Sequence, residues 1–236
     1  MLLKLSKTQS NAIVVLMSKS LIVLPPPDLI PPDHTERLRR IVDESWKIFQ
    51  SHFINGRHSI LKEAPFQHHF ASIISTVGAL YCVSRDDRFF LDLETKCQIG
   101  LKNKFLDITC SFSDRDVKCA IELKFKTAQQ GAQDHGRIDT YVDIAALEAA
   151  CESGYKFGRF YMITDSSVYI NQSVKGVGTR FCMHHGHRVL PGQKLKGESK
   201  GREDVEVALG SAYQFNWTKF DKWHFLELKV KEDTLK

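Results

Sequence analysis

Residues 104–126 constrain this chain more than any other stretch. Leu106, Ile108, Cys110 and Phe112 alternate with other residues, as do Cys119, Ile121, Leu123 and Phe125. The polar segment Ser113-Asp114-Arg115-Asp116 separates the two runs. Period-two alternation on both sides of a polar turn predicts a hairpin in which each strand has one apolar face. The opposite face then carries Phe105, Asp107 and Thr109 on the first strand and Ala120, Glu122, Lys124 and Lys126 on the second. Pairing the strands brings Asp107 towards Glu122 and Lys124.

Two carboxylates and a lysine on neighbouring strands are a donor set for a hard divalent cation. Mg²⁺ takes oxygen ligands, usually one or two protein carboxylates with water and phosphate completing the shell. Asp107 and Glu122 supply the carboxylates and the backbone carbonyl of Leu123 a third oxygen. Water on such an ion is more acidic, and Lys124 can orient it or stabilise charge growing on a phosphate. The plainer reading is an amphipathic hairpin whose charges face water, because a lone E-x-K triplet is common by chance. The chain holds its own control, Glu227-Leu228-Lys229, which no acid-bearing apolar strand precedes at hairpin distance. This second copy reads as a final strand with solvated charges.

The rest of the sequence frames that hairpin. Asn11–Leu24 is mostly apolar, but Ser18-Lys19-Ser20 interrupts it and Pro25-Pro26-Pro27 ends it. It is short for a membrane span and lacks the clean apolar block and cleavage site of a signal peptide. Residues 1–32 therefore read as an arm and a proline-rich linker, and 33–236 as one domain with its core over about 60–170. Asp33 or Thr35 can cap a helix running to about His52, with Leu38, Ile41, Val42, Trp46 and Phe49 on its apolar face. A second helix starts after Pro65, with Phe66, Phe70, Ile73, Ile74 and Val77 as its stripe. Strands follow over 89–99, 104–112 and 117–126, then a loop over 127–136. A helix from Thr140 to Glu152 and a strand over 158–164 come next. Residues 171–179 and 191–204 read as loops, and 213–230 as strand, turn and strand.

Composition sets loose bounds. The net charge of +5 suits a nucleic-acid partner without demanding one. The six cysteines form no C-x-x-C pair and read as reduced core residues of a cytoplasmic protein. No Walker-type phosphate loop and no G-x-S-x-G element is present. Glu94 can add to the cation site or stand as a surface acid, and Gln67 can reach water or metal or be a plain helix residue. Lys126, Gln129, Gln130, Arg137, Arg180 and Arg188 are candidate nucleic-acid contacts. Lys194, Lys196, Lys200 and Arg202 form a basic loop. His184-His185-Gly186-His187, with Cys182 nearby, admits three readings: a zinc site, a basic DNA-facing segment or a surface loop.

From about Glu94 to Glu148 the sequence resembles the PD-(D/E)XK, or restriction-endonuclease-like, nuclease superfamily. "LDIT" around Asp107 stands where that family has its motif aspartate, and "IELK" at Ile121–Lys124 where it has E-x-K. Arg137–Glu148 resembles the helix after the active-site strand and Phe160–Asp165 the buried strand beyond it. Leu106 stands where the family usually has proline. Many members also carry an acid on the first helix, and the matching region here holds Glu63, Gln67, His68 and His69.

The resemblance implies an α/β fold with an αβββαβ core, a central mixed sheet flanked by helices and an N-terminal helical extension. It also implies hydrolysis of nucleic-acid phosphodiesters with Mg²⁺, Mn²⁺ substituting. Asp107 and Glu122 match its metal ligands and Lys124 its catalytic lysine. The expected activity is a DNA endonuclease of restriction or defence type, working as a homodimer away from membranes. A partner methyltransferase or helicase is not identified by the sequence. The alternatives are a structure-selective or single-strand nuclease of repair or recombination, and a catalytically silent DNA-binding subunit of the same fold.

Overall fold

The computed structural model describes residues 29–99 and 102–232; the expected N-terminal arm and Pro25–Pro27 lie outside the described residues. Helices α1 (His34–Ile54) and α2 (Glu63–Leu80) precede strands β1 (Phe89–Ile99), β2 (Lys102–Phe112) and β3 (Val117–Lys126). Helix α3 (Gln133–Glu152), strand β4 (Phe157–Thr164) and the short helix α4 (Ser167–Ile170) follow. Four short strands come next, β5 (Arg188–Val189), β6 (Lys194–Lys196), β7 (Glu206–Ala208) and β8 (Tyr213–Gln214). Strands β9 (Thr218–Phe220) and β10 (Trp223–Val230) end the series.

The hairpin expected from the alternation is the centre of the sheet. β2 and β3 pair antiparallel from Phe112 opposite Val117 to Ile108 opposite Ile121, across a 3-10 turn at Ser113–Arg115. Asp116 closes that turn at φ 50°, a left-handed position that Asp tolerates better than most residues. β4 joins β3 in parallel after the α3 crossover, and β10 runs antiparallel to β4. The six strands lie in the order β1-β2-β3-β4-β10-β9. The fold is α/β, with a mixed sheet flanked by helices on both faces.

Each face has its own core. On one, Trp46 and Phe49 of α1 and Phe66, Phe70 and Ile74 of α2 pack on Ile108, Ile121, Leu123, Tyr161 and Phe225. The Trp46 and Tyr161 rings are 4.3 Å apart. Each such buried side chain contributes about 1.5–3 kcal/mol. The helix start is as read, because Asp33 Oδ1 accepts a hydrogen bond from Glu36 N at 2.8 Å. On the other face α3 lies over Ala120, Phe160 and Met162 and is itself covered by Phe181, Met183, Phe215 and Trp217.

That cover explains why α3 starts at Gln133 rather than at Thr140. A helix buried on two sides shows no single apolar stripe, so periodicity marks its start poorly. Its first turn also ends on Gly136, where an added Cβ would collide with Tyr169 Oη. The loop after β3 shortens accordingly. All six cysteines are free; Cys97, Cys110, Cys119 and Cys151 are buried in the core as read, whereas Cys82 and Cys182 are half-buried.

Strict alternation fails at one place. Leu106 belongs to the α3-side core and Ile108 to the α1/α2-side core, although they are two residues apart. The β1–β2 ladder pairs Leu93 with Ile108 and Thr95 with Leu106 but omits Glu94 and Asp107. Glu94 has φ 50°, which is uncommon for a non-glycine residue. Both strands break together at this point, and the β2–β3 ladder ends beside it.

Candidate active site

The break in β2 makes the site. Where the ladder to β3 stops, Asp107 bridges the two strands with its side chain, and Oδ2 accepts a hydrogen bond from Leu123 N at 2.6 Å. Burial raises the pKa of Asp107 to about 6; Leu123 N and Lys124 pull it down, and Glu63 and Asp143 add to the rise. Glu122, one register step along, is 2 % exposed. Its Oε1 has no hydrogen-bond partner and lies 3.3 Å from Lys104 Nζ. Burial, then Asp143, pushes its pKa well above the carboxylate range.

Lys124 stands on the same face of β3 as Glu122 and meets Asp143 Oδ2 at 2.6 Å and Glu63 Oε1 at 3.8 Å. Its Nζ also donates to the Leu123 carbonyl at 3.2 Å. Burial alone would lower its pKa, but the surrounding carboxylates outweigh it and the net shift is upward. Lys104 pairs with Asp143 as well, and its pKa is raised through the same balance. Both lysines are therefore held as ammonium ions.

Two helices complete the ring. Glu63, the first residue of α2, accepts Phe125 N at 3.2 Å through Oε2. One turn on, Gln67 Nε2 donates both to the Asp107 carbonyl at 2.7 Å and to Glu94 Oε1 at 2.8 Å. Of the four first-helix candidates, Glu63 and Gln67 therefore reach the site. His69 instead stacks on His58 with ring centroids 4.0 Å apart, and His68 packs edge-on against His69.

Sequence reading missed Lys104 and Asp143. Asp143 is buried on α3 and bonds both lysines. Its signal was present: it lies four residues before Leu147 and seven before Ala150, an acid inside a buried helical face. Lys104 was hidden by the break at Asp107, which changes the face of every residue before it.

Four carboxylates (Glu63, Asp107, Glu122, Asp143) thus gather about two lysines, more acids than ammonium ions, and Glu94 joins them at the rim through Gln67. Asp107, Glu122 and the Leu123 carbonyl are all hard oxygen donors, and Glu122 Oε1, buried without a hydrogen bond and ion-paired only to Lys104 Nζ at 3.3 Å, is an acceptor suited to a cation. The donor set fits Mg²⁺ or Mn²⁺. Among the described residues the carboxylates do not bring three side-chain donors within 4.8 Å of one another; Cys182, His184 and His187 do. A cation here would rest on two carboxylates, a backbone oxygen and outside ligands.

The proposed nucleic-acid contacts divide. Gln129, Gln130 and Arg188 are exposed, and Lys126 is half-buried beside Gly136. Gln130 Oε1 accepts Thr127 N and so shapes its own loop. Arg180 is paired with Glu198 at 2.7 Å. Arg137 must be corrected: it is 1 % exposed and donates to the carbonyls of Phe181 and Val168 and to Ser173 Oγ. A guanidinium spent on buried carbonyls does not reach a phosphate. In the basic loop Arg202 is bound to Asp139 at 2.9 Å. A cleft lined by Asn103, Lys104, Val142, Val205 and Val207 adjoins the site through Lys104.

No family model, no curated protein and no solved structure matches the chain. Among the described residues no helix is long and apolar enough to cross a membrane.

Proposed function

We propose that this chain is a Mg²⁺-dependent endonuclease that hydrolyses DNA phosphodiester bonds. The observation that carries the reading is the meeting of Asp107, Glu122, the Leu123 carbonyl and Lys124 where β2 parts from β3. The succession α2-β1-β2-β3-α3-β4 also follows the αβββαβ order implied by the resemblance to the PD-(D/E)XK superfamily.

Asp107 and Glu122 would hold the ion with the Leu123 carbonyl, Gln67 fixes the Asp107 backbone, and Mn²⁺ would substitute for Mg²⁺. An ion held there would supply an acidified water and neutralise phosphate charge. Lys124, held as an ammonium, acts by charge and orientation and not as a proton acceptor. Asp143 keeps Lys124 placed until a phosphate competes for it. DNA is preferred as substrate on the habit of the family, with restriction or defence as the setting and a homodimer as the acting form.

One observation favours a second reading, a binding subunit that does not cut. Lys104 already lies against Glu122 and Asp143 and partly neutralises the site without an ion. The test is cleavage of plasmid, linear duplex and single-stranded DNA with Mg²⁺, Mn²⁺ or EDTA. Metal-dependent cutting that falls by about 10²–10³-fold in Lys124→Ala, with DNA binding retained, is the expected result. Wild-type turnover by Lys124→Ala would sink the assignment. Salt-sensitive DNA binding with no cutting by wild type would establish the binding subunit.

A further inference from the structure

We propose that Cys182, His184 and His187 form a zinc(II) site, separate from the carboxylate cluster and independent of the nuclease reading. Their donor atoms lie within 4.8 Å of one another, and they are the one such group among the described residues. A tetrahedral zinc with its usual bond lengths wants these donors roughly 3.3–3.6 Å apart. The gap is within the reach of side-chain rotation, since all three side chains are only half-buried.

Strand logic separates Cys182 from its neighbours, because adjacent strand residues face opposite ways. The segment is not a strand. It turns back on itself: His187 N donates to the His184 carbonyl at 3.0 Å, and Gly186 takes φ +80°. That turn gathers positions 182, 184 and 187 on one side. His185 points elsewhere, and its Nδ1 accepts Trp217 N at 3.2 Å.

The turn is held from every direction. The carbonyls of Phe181, Cys182 and Met183 accept from Arg137 Nη1 at 3.1 Å, Tyr141 Oη at 2.6 Å and Trp217 Nε1 at 2.7 Å. Gly186 N donates to the Phe215 carbonyl, and Phe215 N to the His187 carbonyl, both at 2.9 Å. Three large buried side chains thus fix the backbone of Cys182 and of the residues on either side of it. A frame this rigid lowers the ordering cost of binding.

One thiolate and two imidazoles reject Mg²⁺ and Ca²⁺, which take oxygen, and suit zinc. The Cys182 thiol, now 3.2 Å from the Thr179 carbonyl, releases its proton to solvent when zinc binds. Three protein ligands leave the fourth position to water or an outside donor.

The experiment is a Co²⁺ titration of the metal-free full chain, followed by displacement with Zn²⁺. One equivalent should develop the thiolate-to-cobalt charge-transfer band and tetrahedral ligand-field bands, and zinc should abolish both. Cys182→Ser should lose the charge-transfer band. His187→Ala should weaken zinc by more than about a hundredfold, since even outer-shell partners cost 10–100-fold. His185→Ala and Asp107→Asn should keep the band, the latter separating this site from the carboxylates. A wild-type spectrum without a thiolate band overturns the proposal with no variant needed. Equal zinc affinity in wild type, Cys182→Ser and His187→Ala, each folded by circular dichroism, overturns it too.

Discussion

The tripeptide Glu-Leu-Lys occurs twice, at 122–124 in β3 and at 227–229 in β10, and the two copies lie on opposite faces of one sheet. Glu122 faces α3, where Asp107 and Asp143 crowd it and Oε1 lacks a hydrogen bond. Glu227 faces α1 and stands 3.7 Å from Arg159, a fully buried guanidinium that also binds Asp43 and Glu232. Lys229 joins the same network through Asp43 and Glu232. The second copy is therefore not simply solvated, as its sequence suggested; it balances a buried arginine. Identical triplets become an acid-rich pocket and a closed ion network because of their neighbours.

Cleavage should separate the copies most sharply. Glu122→Gln is expected to cut DNA at least about 10³-fold more slowly, and Glu227→Gln within about twofold of wild type. Comparable losses in both variants, measured as single-turnover rates, would erase the distinction. The next largest effect is on stability. Arg159→Met leaves Asp43, Glu227 and Glu232, all partly solvated, without their shared partner, and should cost about 1–3 kcal/mol in urea denaturation. A neutral result there would show that the network is dispensable.

A subtler difference appears with pH in the absence of metal. Asp107 has its pKa raised to about 6 from 3.8, so the folded state holds that proton more tightly than the unfolded state. Its contribution to stability is complete below about pH 3.8 and is lost as pH rises through about 6, a fall on the order of 3 kcal/mol. Glu122 adds to the fall, its pKa being raised by burial first and Asp143 second. Asp107→Asn should flatten the decline between pH 4.5 and 7 in EDTA, and Mg²⁺ should restore wild-type stability at pH 7. An unchanged slope in the variant would show that burial of Asp107 does not drive the decline. The smallest effect belongs to Gln67→Ala, a loss of about tenfold in metal affinity, because it only positions Asp107 and Glu94. A Mn²⁺ titration that does not distinguish it from wild type would make Gln67 a bystander.

Much of this was readable from the chain. Alternation gave β2 and β3, the apolar stripes gave α1 and α2, and the polar turn at 113–116 gave the hairpin register that brings Asp107 to β3. Glu63, Gln67 and Glu94 were reachable as neighbours of that hairpin. Arg137 was misplaced because a basic residue in a polar stretch reads as surface, whereas the chain beyond β4 folds over it and offers it buried carbonyls.

Local pattern by itself determined the two first helices and the hairpin strands, since side-chain periodicity is a property of adjacent residues, but not the start of α3 or the short strand β6 in a stretch read as loop. It also determined that an acid and an E-x-K share a hairpin. Only the tertiary structure decided that β2 breaks at Asp107, that Asp143 and Lys104 enter the site, and that Cys182, His184 and His187 converge. It also gave the two Glu-Leu-Lys copies opposite faces and different charges around them. The physical reason is the same in each case. Burial and pairing of charge depend on residues far apart in the chain, and no local pattern encodes which distant partner will arrive.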